Sequence, residues 1–358
     1  MDSVTQLVLG AAVGELVLGK KVGRKAALWG ALFGTVPDLD VFADPLLTEI
    51  EQLAFHRGIS HSLLFCVLAA PVGGWFAARL HRRAEADWRA WSWLAFWCLL
   101  THVVLDCFTT YGTQILQPFS DYRVILGSIF IIDPLYTLPL MFGLLTALWF
   151  KRDARIRRLA NGVGLALSSA YLLFTFANKL SIETVFADAL AAQGHEYGRL
   201  FIYPTAFNNL LWIALAEDET GYWVGHYSLL DDGRRIRFKH FDAGRKLLSK
   251  LREGPIVERL RWFSGGLYAL EERAGTLYFN DLHLPRTDNW LTMEGDFVFR
   301  FRLLMDPNHP GEVMAVRQER PPYRITSEAW SGLIARAWAR APSDGSQDGG
   351  SEKLRTAE

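Results

Sequence analysis

The stretch WSWLAFWCLLTHVVLDCFTTY, residues 91–111, reads as a membrane-spanning helix that carries a histidine and an aspartate. Its length matches the roughly 20 residues needed to cross about 30 Å of hydrocarbon. His102 and Asp106 stand four apart, so a helix sets both on one face. Ionisable groups inside a span are costly and point by default to function. A lone histidine here would more readily be a satisfied core residue; the pair shifts the balance.

Three further stretches have span length and character: Leu63–Leu80, Ile129–Phe150 and Ala160–Lys179. Before them, Val4–Val36 forms two shorter apolar runs around Lys20, Lys21, Arg24 and Lys25, expected as a helical hairpin packed against protein. After residue 180 the chain turns to mixed charge with alternating short apolar runs. The expected architecture is a membrane all-α helical bundle of four spans plus the N-terminal hairpin (1–180). A soluble α+β domain with antiparallel sheet (181–341) follows, then a disordered tail (342–358). Expected strands are Leu211–Ala216, Tyr222–Ser228, Arg235–Phe241, Gly265–Glu271, Leu277–Asn280 and Phe297–Arg302, with a helix over Ala243–Glu253. Asn208, Asn209, Trp212 and His226 are expected to serve structure before chemistry.

Formal net charge is zero with no basic face, which gives no reason to expect nucleic acid as a partner. Cys66, Cys98 and Cys107 all lie in apolar segments, so no disulfide framework is expected. The start of the chain lacks the basic n-region of a cleavable signal peptide. Basic residues gather in three connections, Lys20–Lys25, Arg79–Arg89 and Lys151–Arg158, which the positive-inside rule assigns to the cytoplasm. The bilayer is then the obligatory partner, and the C-terminal domain is expected to be extracytoplasmic. The unusual polar residues all fall toward that same side.

Those residues form several groups. Asp38 and Asp40 follow Pro37 at the end of the second short helix. His56 and His61 straddle a loop-to-helix boundary just before Leu63. Together with His102 and Asp106 they offer imidazoles and carboxylates, a mixed set suited to zinc or another divalent metal, manganese included. Asp133 is a further carboxylate, although Asp133-Pro134 also reads as a helix cap with proline at the first position. Arg123 is a candidate anion holder or an interfacial arginine. Zinc-protease, nucleophile-elbow, Walker A and dinucleotide signatures are absent.

Pro37-Asp38-Leu39-Asp40, His56-Arg57-Gly58-Ile59-Ser60-His61-Ser62 and His102-x-x-x-Asp106, running into Thr109-Thr110-Tyr111-Gly112-Thr113 and Pro118-Phe119-Ser120, resemble the membrane-bound metal-dependent hydrolases (YdjM-like). These are also described as LexA-binding, inner-membrane-associated hydrolases. The resemblance covers residues 1–180, and Pro204–Trp212 looks like the corresponding stretch of long members. It implies a prokaryotic inner (cytoplasmic) membrane protein. The histidine–aspartate pattern is similar to that of zinc-dependent phospholipase C, in which the free N-terminus is a ligand; Met1-Asp2-Ser3 does not point to such a ligand here. The resulting expectation is a hydrolase with His56, His61, His102, Asp106, Asp38 and Asp40 around the metal. Asp40 or Asp133 would be the base, Arg123 would steady an anion, and the substrate would be an ester or phosphoester, lipid-linked in the fullest form of the reading. The rivals are a membrane metal or proton transporter and a non-catalytic scaffold with a structural metal.

Overall fold

The computed structural model describes residues 1–82, 86–233, 236–288, 290–319 and 327–339. The expected tail, 342–358, lies outside the described residues. The first helices are α1 (Ser3–Val22) and α2 (Arg24–Thr35). They pack backbone to backbone, because glycines face each other across the seam: a Cβ on Gly10 would meet the Gly30 carbonyl oxygen at 2.3 Å, and one on Gly34 would meet the Gln6 carbonyl. Small residues four apart on both helices permit this approach, the usual means of helix association where water supplies no drive. Asp2 caps α1 through the Val4 and Thr5 N–H groups.

Pro37 closes α2, and a 3-10 helix over Val36–Leu46 carries Asp38 and Asp40. Then come α3 (Glu49–Phe55), α4 (Leu63–Leu80) and α5 (Trp88–Cys107). The apolar run 129–150 is only partly helical. Residues 129–133 are non-helical, and α6 (Pro134–Trp149) begins at the proline that Asp133 caps. The next helix, α7 (Arg155–Ala192), runs beyond the apolar segment Ala160–Lys179 for more than three further turns. Among the described residues five helical segments are long and apolar enough to cross a bilayer: Ser3–Val22, Arg24–Leu46, Leu63–Leu80, Trp88–Cys107 and Arg155–Ala192. Inside the bundle a buried ion pair joins Glu15 to Arg157 at 2.6 Å, so each charge has its partner where water is excluded.

The rest is an α+β unit with two four-stranded antiparallel meanders, in the orders β1-β2-β3-β4 and β5-β6-β7-β8. The first holds β1 (Arg199–Pro204), β2 (Leu211–Glu217), β3 (Gly221–Ser228) and β4 (Phe238–Asp242). The second holds β5 (Tyr268–Arg273), β6 (Thr276–Arg286), β7 (Phe297–Met305) and β8 (Val313–Glu319). The sheets share a core of Ile213, Leu215, Tyr222, Leu267, Leu282 and Phe297. The far end of α7 covers the first sheet through Ile182 and Phe186. On the second, α8 (Pro255–Phe263) packs together with α3, whose Leu53 joins Leu260 and Phe301. The Gln318 N–H donates to the Glu49 carboxylate across the same contact. Through α3 the sheet unit therefore holds the segment that enters His56.

Residues 199–204 and 313–319 form strands not expected from the sequence, and the helix expected over Ala243–Glu253 is a short 3-10 turn, Arg245–Lys250. Asn209 joins the two units: its side chain meets Asn178 at 2.7 Å and donates to the Ser128 carbonyl at 2.8 Å. Asn208 caps the turn into β2, and Trp212 is fully buried.

Candidate metal centre

Asp38, His61, His102 and Asp106 converge, each offering one donor atom, all within 4.8 Å of one another. Three separate stretches of chain meet here. The α1–α2 hairpin delivers Asp38 on the 3-10 helix after Pro37. The Ile59–His61 3-10 turn rotates His61 inward, and α5 presents His102 and Asp106 from one face. His61, His102 and Asp106 are buried, while the Asp38 side chain is 20 % exposed and forms the open side.

The tautomers follow from the outer hydrogen bonds. The Nδ1 of His102 lies 2.6 Å from the carbonyl of Gly34, which only accepts, so this nitrogen carries the proton. The Nδ1 of His61 faces the Ser60 hydroxyl at 3.0 Å and the Asp40 carboxylate at 3.6 Å. A carbonyl or carboxylate behind each ring is the arrangement that orients metal-binding imidazoles. The two Nε2 atoms then face each other at 3.2 Å. Asp38 Oδ1 is 3.4 Å from each, and Asp106 Oδ2 is 3.4 and 3.7 Å away. Donors bonded at about 2.0–2.2 Å to a tetrahedral ion sit about 3.3–3.6 Å apart. The separations fit such an ion.

Without a cation, two imidazole lone pairs and two carboxylates would repel. Burial acts to lower the pKa of His61, but Asp106 and Asp38 outweigh it and hold the ring above the ordinary histidine value. The point attracts positive charge, whether proton or metal.

Asp106 carries more than one interaction. Its Oδ1 accepts from the Met1 amine and from Gln6 Nε2 at 2.9 Å. The Met1 amine is thus an ion-pair partner of Asp106 on the oxygen away from the two imidazoles. Its Oδ2 lies 3.1 Å from Arg57 Nε in a buried ion pair, off the hydrogen-bond direction. Arg57 also donates to Thr109 Oγ1 at 2.9 Å and stacks over Tyr111 at 4.9 Å. Its φ of 56° is left-handed, a strained position for a side chain this size. Asp40 accepts its N–H at 3.0 Å, and its carbonyl accepts from the Gln114 N–H at 3.1 Å. Sequence reading did not single Arg57 out. The one available signal was its place between the two histidines.

The remaining candidates lie around or away from the cluster. Asp40 is a buried anchor that also takes the Ser60 hydroxyl at 3.2 Å and His56 Nδ1 at 3.0 Å. His56, 29 % exposed, forms a dyad with it and stands outside the four donors. Asp133 caps α6 and accepts from the Tyr171 hydroxyl at 2.9 Å, apart from the centre. Arg123 lies behind Tyr111 and donates to the Phe263 carbonyl, its charge stacked on the Tyr111 and Phe263 rings. The guanidinium at the centre is that of Arg57.

Against known proteins, the family described as YdjM inner membrane protein matches residues 1–182. YfhP of Bacillus subtilis, an uncharacterized protein, is 30 % identical over 161 residues, 42 % of this chain and 46 % of YfhP. The inner membrane protein YbcI of Escherichia coli is 34 % identical over 116 residues, 30 % of this chain and 62 % of YbcI. The chain thus spans about half to three fifths of these relatives. No solved structure is significantly similar to it.

Proposed function

We propose that this chain, which belongs to the YdjM inner membrane protein family, is a metal-dependent hydrolase acting on an ester or phosphoester at the membrane surface. Asp38, His61, His102 and Asp106 would hold the ion, zinc before manganese given two imidazoles and two carboxylates at these spacings. The observation that supports this most is the opposition of two Nε2 atoms at 3.2 Å, each ring pinned from behind. A divalent cation held there would supply Lewis acidity and activate water for attack near neutral pH.

The chain's own groups divide the remaining work. The Asp40 carboxylate holds His56 Nδ1, so this partly exposed ring presents Nε2 as the group to take and return a proton. Arg57 and the Met1 amine keep Asp106 ionised and oriented. Asp38, on the open side, borders the approach. His102 and Asp106 lie in the last two turns of the candidate span Trp88–Cys107, toward its end. That depth favours a lipid-linked substrate, and the basic connections favour the extracytoplasmic face.

A second reading has one observation in its favour: four protein donors suffice to close a tetrahedral site, as structural zinc sites do. His56 separates the two. In the hydrolase reading His56→Gln retains its metal and loses about 10²–10⁴-fold in turnover of phospholipid or lipid-ester substrates presented in liposomes. Metal-loaded wild-type protein that cleaves none of them, or a variant as active as wild type, would defeat the reading.

A further inference from the structure

The last described helix, α9 (Ser327–Ala337), has an apolar surface that the protein covers only in part. Leu333 and Ala337 are buried on Phe130, Ala206 and Leu211. Beside them Trp330, Ile334 and Trp338, the last just past the helix, are 37, 44 and 55 % exposed. At about 100° per residue these five positions span an arc of roughly 140°. The protein takes one side of the arc and leaves the other open. Arg336, off that arc, is held by Asp231 at 2.6 Å, which fixes the rotation of the helix.

What α9 sits on locates it. Phe130 and the partly buried Ile131 are three or four residues from Pro134, where α6 enters the bundle, and Ile132 and Leu135 beside them are exposed apolar residues. Phe130 lies two residues from Ser128, whose hydroxyl meets Thr175 of α7 at 3.2 Å. Around that level Leu173, Phe174 and Leu180 of α7 are exposed. Past Leu180 the exposed positions of α7 are Ser181, Glu183, Thr184 and Asp188, with Ala191 and Ala192 at its end. The change from apolar to polar marks where α7 leaves hydrocarbon, and the seat of α9 lies within that range.

We propose that the Trp330, Ile334 and Trp338 side of α9 lies in the lipid headgroup region of the leaflet on the metal-centre side. Tryptophan favours that depth, where an apolar ring and a polar N–H are both satisfied. An apolar arc divided between protein and lipid is what an in-plane helix at such a boundary requires. Continuity with the exposed Ile132 and Leu135 selects lipid over a protein partner. The anchor also has a consequence for the centre: with α7 on one sheet and α9 on the bilayer, the second sheet is held steady against α3 and the His56 segment.

The test is a nitroxide at Ile334→Cys in full-length protein reconstituted in liposomes of phosphatidylethanolamine and phosphatidylglycerol. Unsubstituted protein controls for Cys66, Cys98 and Cys107, which are buried. Collisional access to oxygen and to a water-soluble nickel chelate is compared with a label at Lys239→Cys, on the exposed surface of β4. The expected oxygen-to-nickel ratio at 334 is about threefold or more above that at 239, as for a site roughly 5–10 Å into the headgroup boundary. Equal ratios would overturn the proposal. A label at 334 shielded from both reagents would overturn it too, by placing protein on that face.

Discussion

Replacing Asp106 by alanine is expected to cost about 3–5 kcal/mol of stability, the usual effect of stranding a buried charge. Here two charges are stranded, because the Met1 amine and Arg57 both face this carboxylate in a buried setting. Gln6 Nε2 loses its 2.9 Å acceptor as well. The change also takes away one of four donors and leaves positive charge where a cation would bind. Unfolding in detergent can be followed with a thiol-reactive dye, since the cysteines are buried until the fold opens. Asp106→Asn keeps the shape and one acceptor oxygen, so its midpoint should fall between those of the alanine variant and wild type. An alanine variant that unfolds with wild type would mean that the network around Asp106 contributes nothing.

The second large effect is expected from packing alone. A Cβ at Gly30 would stand 2.2 Å from the Gly10 carbonyl oxygen and 2.9 Å from the Gly14 Cα. Both are backbone, so neither can rotate away, and Gly30→Leu must separate α1 from α2. About 3 kcal/mol or more is expected, at the upper end of overpacking. Because α2 leads into the 3-10 helix that bears Asp38, metal content should fall together with the unfolding midpoint. Gly162→Ala is the control: nothing lies within 4 Å of a Cβ there and alanine suits a helix interior better than glycine, so the midpoint should not fall. If Gly30→Leu behaves like the control, the close-packed hairpin is wrong.

Much of this was legible in residue order. Apolar length and the proline and glycine punctuation located the helices, and the bundle-plus-sheet architecture followed. His102 and Asp106 were readable as a pair because a helix has a fixed period. Roles within the loop were harder to read. His56 and His61 are the same residue type five apart, and only the Ile59–His61 turn makes one face inward while the other stays with Asp40. Asp38 and Asp40 divide in the same way, one toward the cluster and one behind it. Arg57 escaped notice because a left-handed arginine depends on partners from distant segments, Asp40, Gln114 and Asp106. Arg123 looked suited to an anion, but the sheet unit packs Phe263 against it, a contact between residues 140 positions apart. The strand at 313–319 and α9 were missed for a related reason: their apolar faces are completed by elements far away in sequence.

The central claim is that Asp38, His61, His102 and Asp106 make one metal centre. It is tested most directly by elemental mass spectrometry on detergent-purified wild type beside His102→Ala and Asp38→Ala. Neither variant strands the cations that face Asp106. The account predicts near-stoichiometric zinc or manganese in wild type and its loss in both variants, each still folded by thiol protection. Folded wild type that takes up neither metal when both are offered would contradict it.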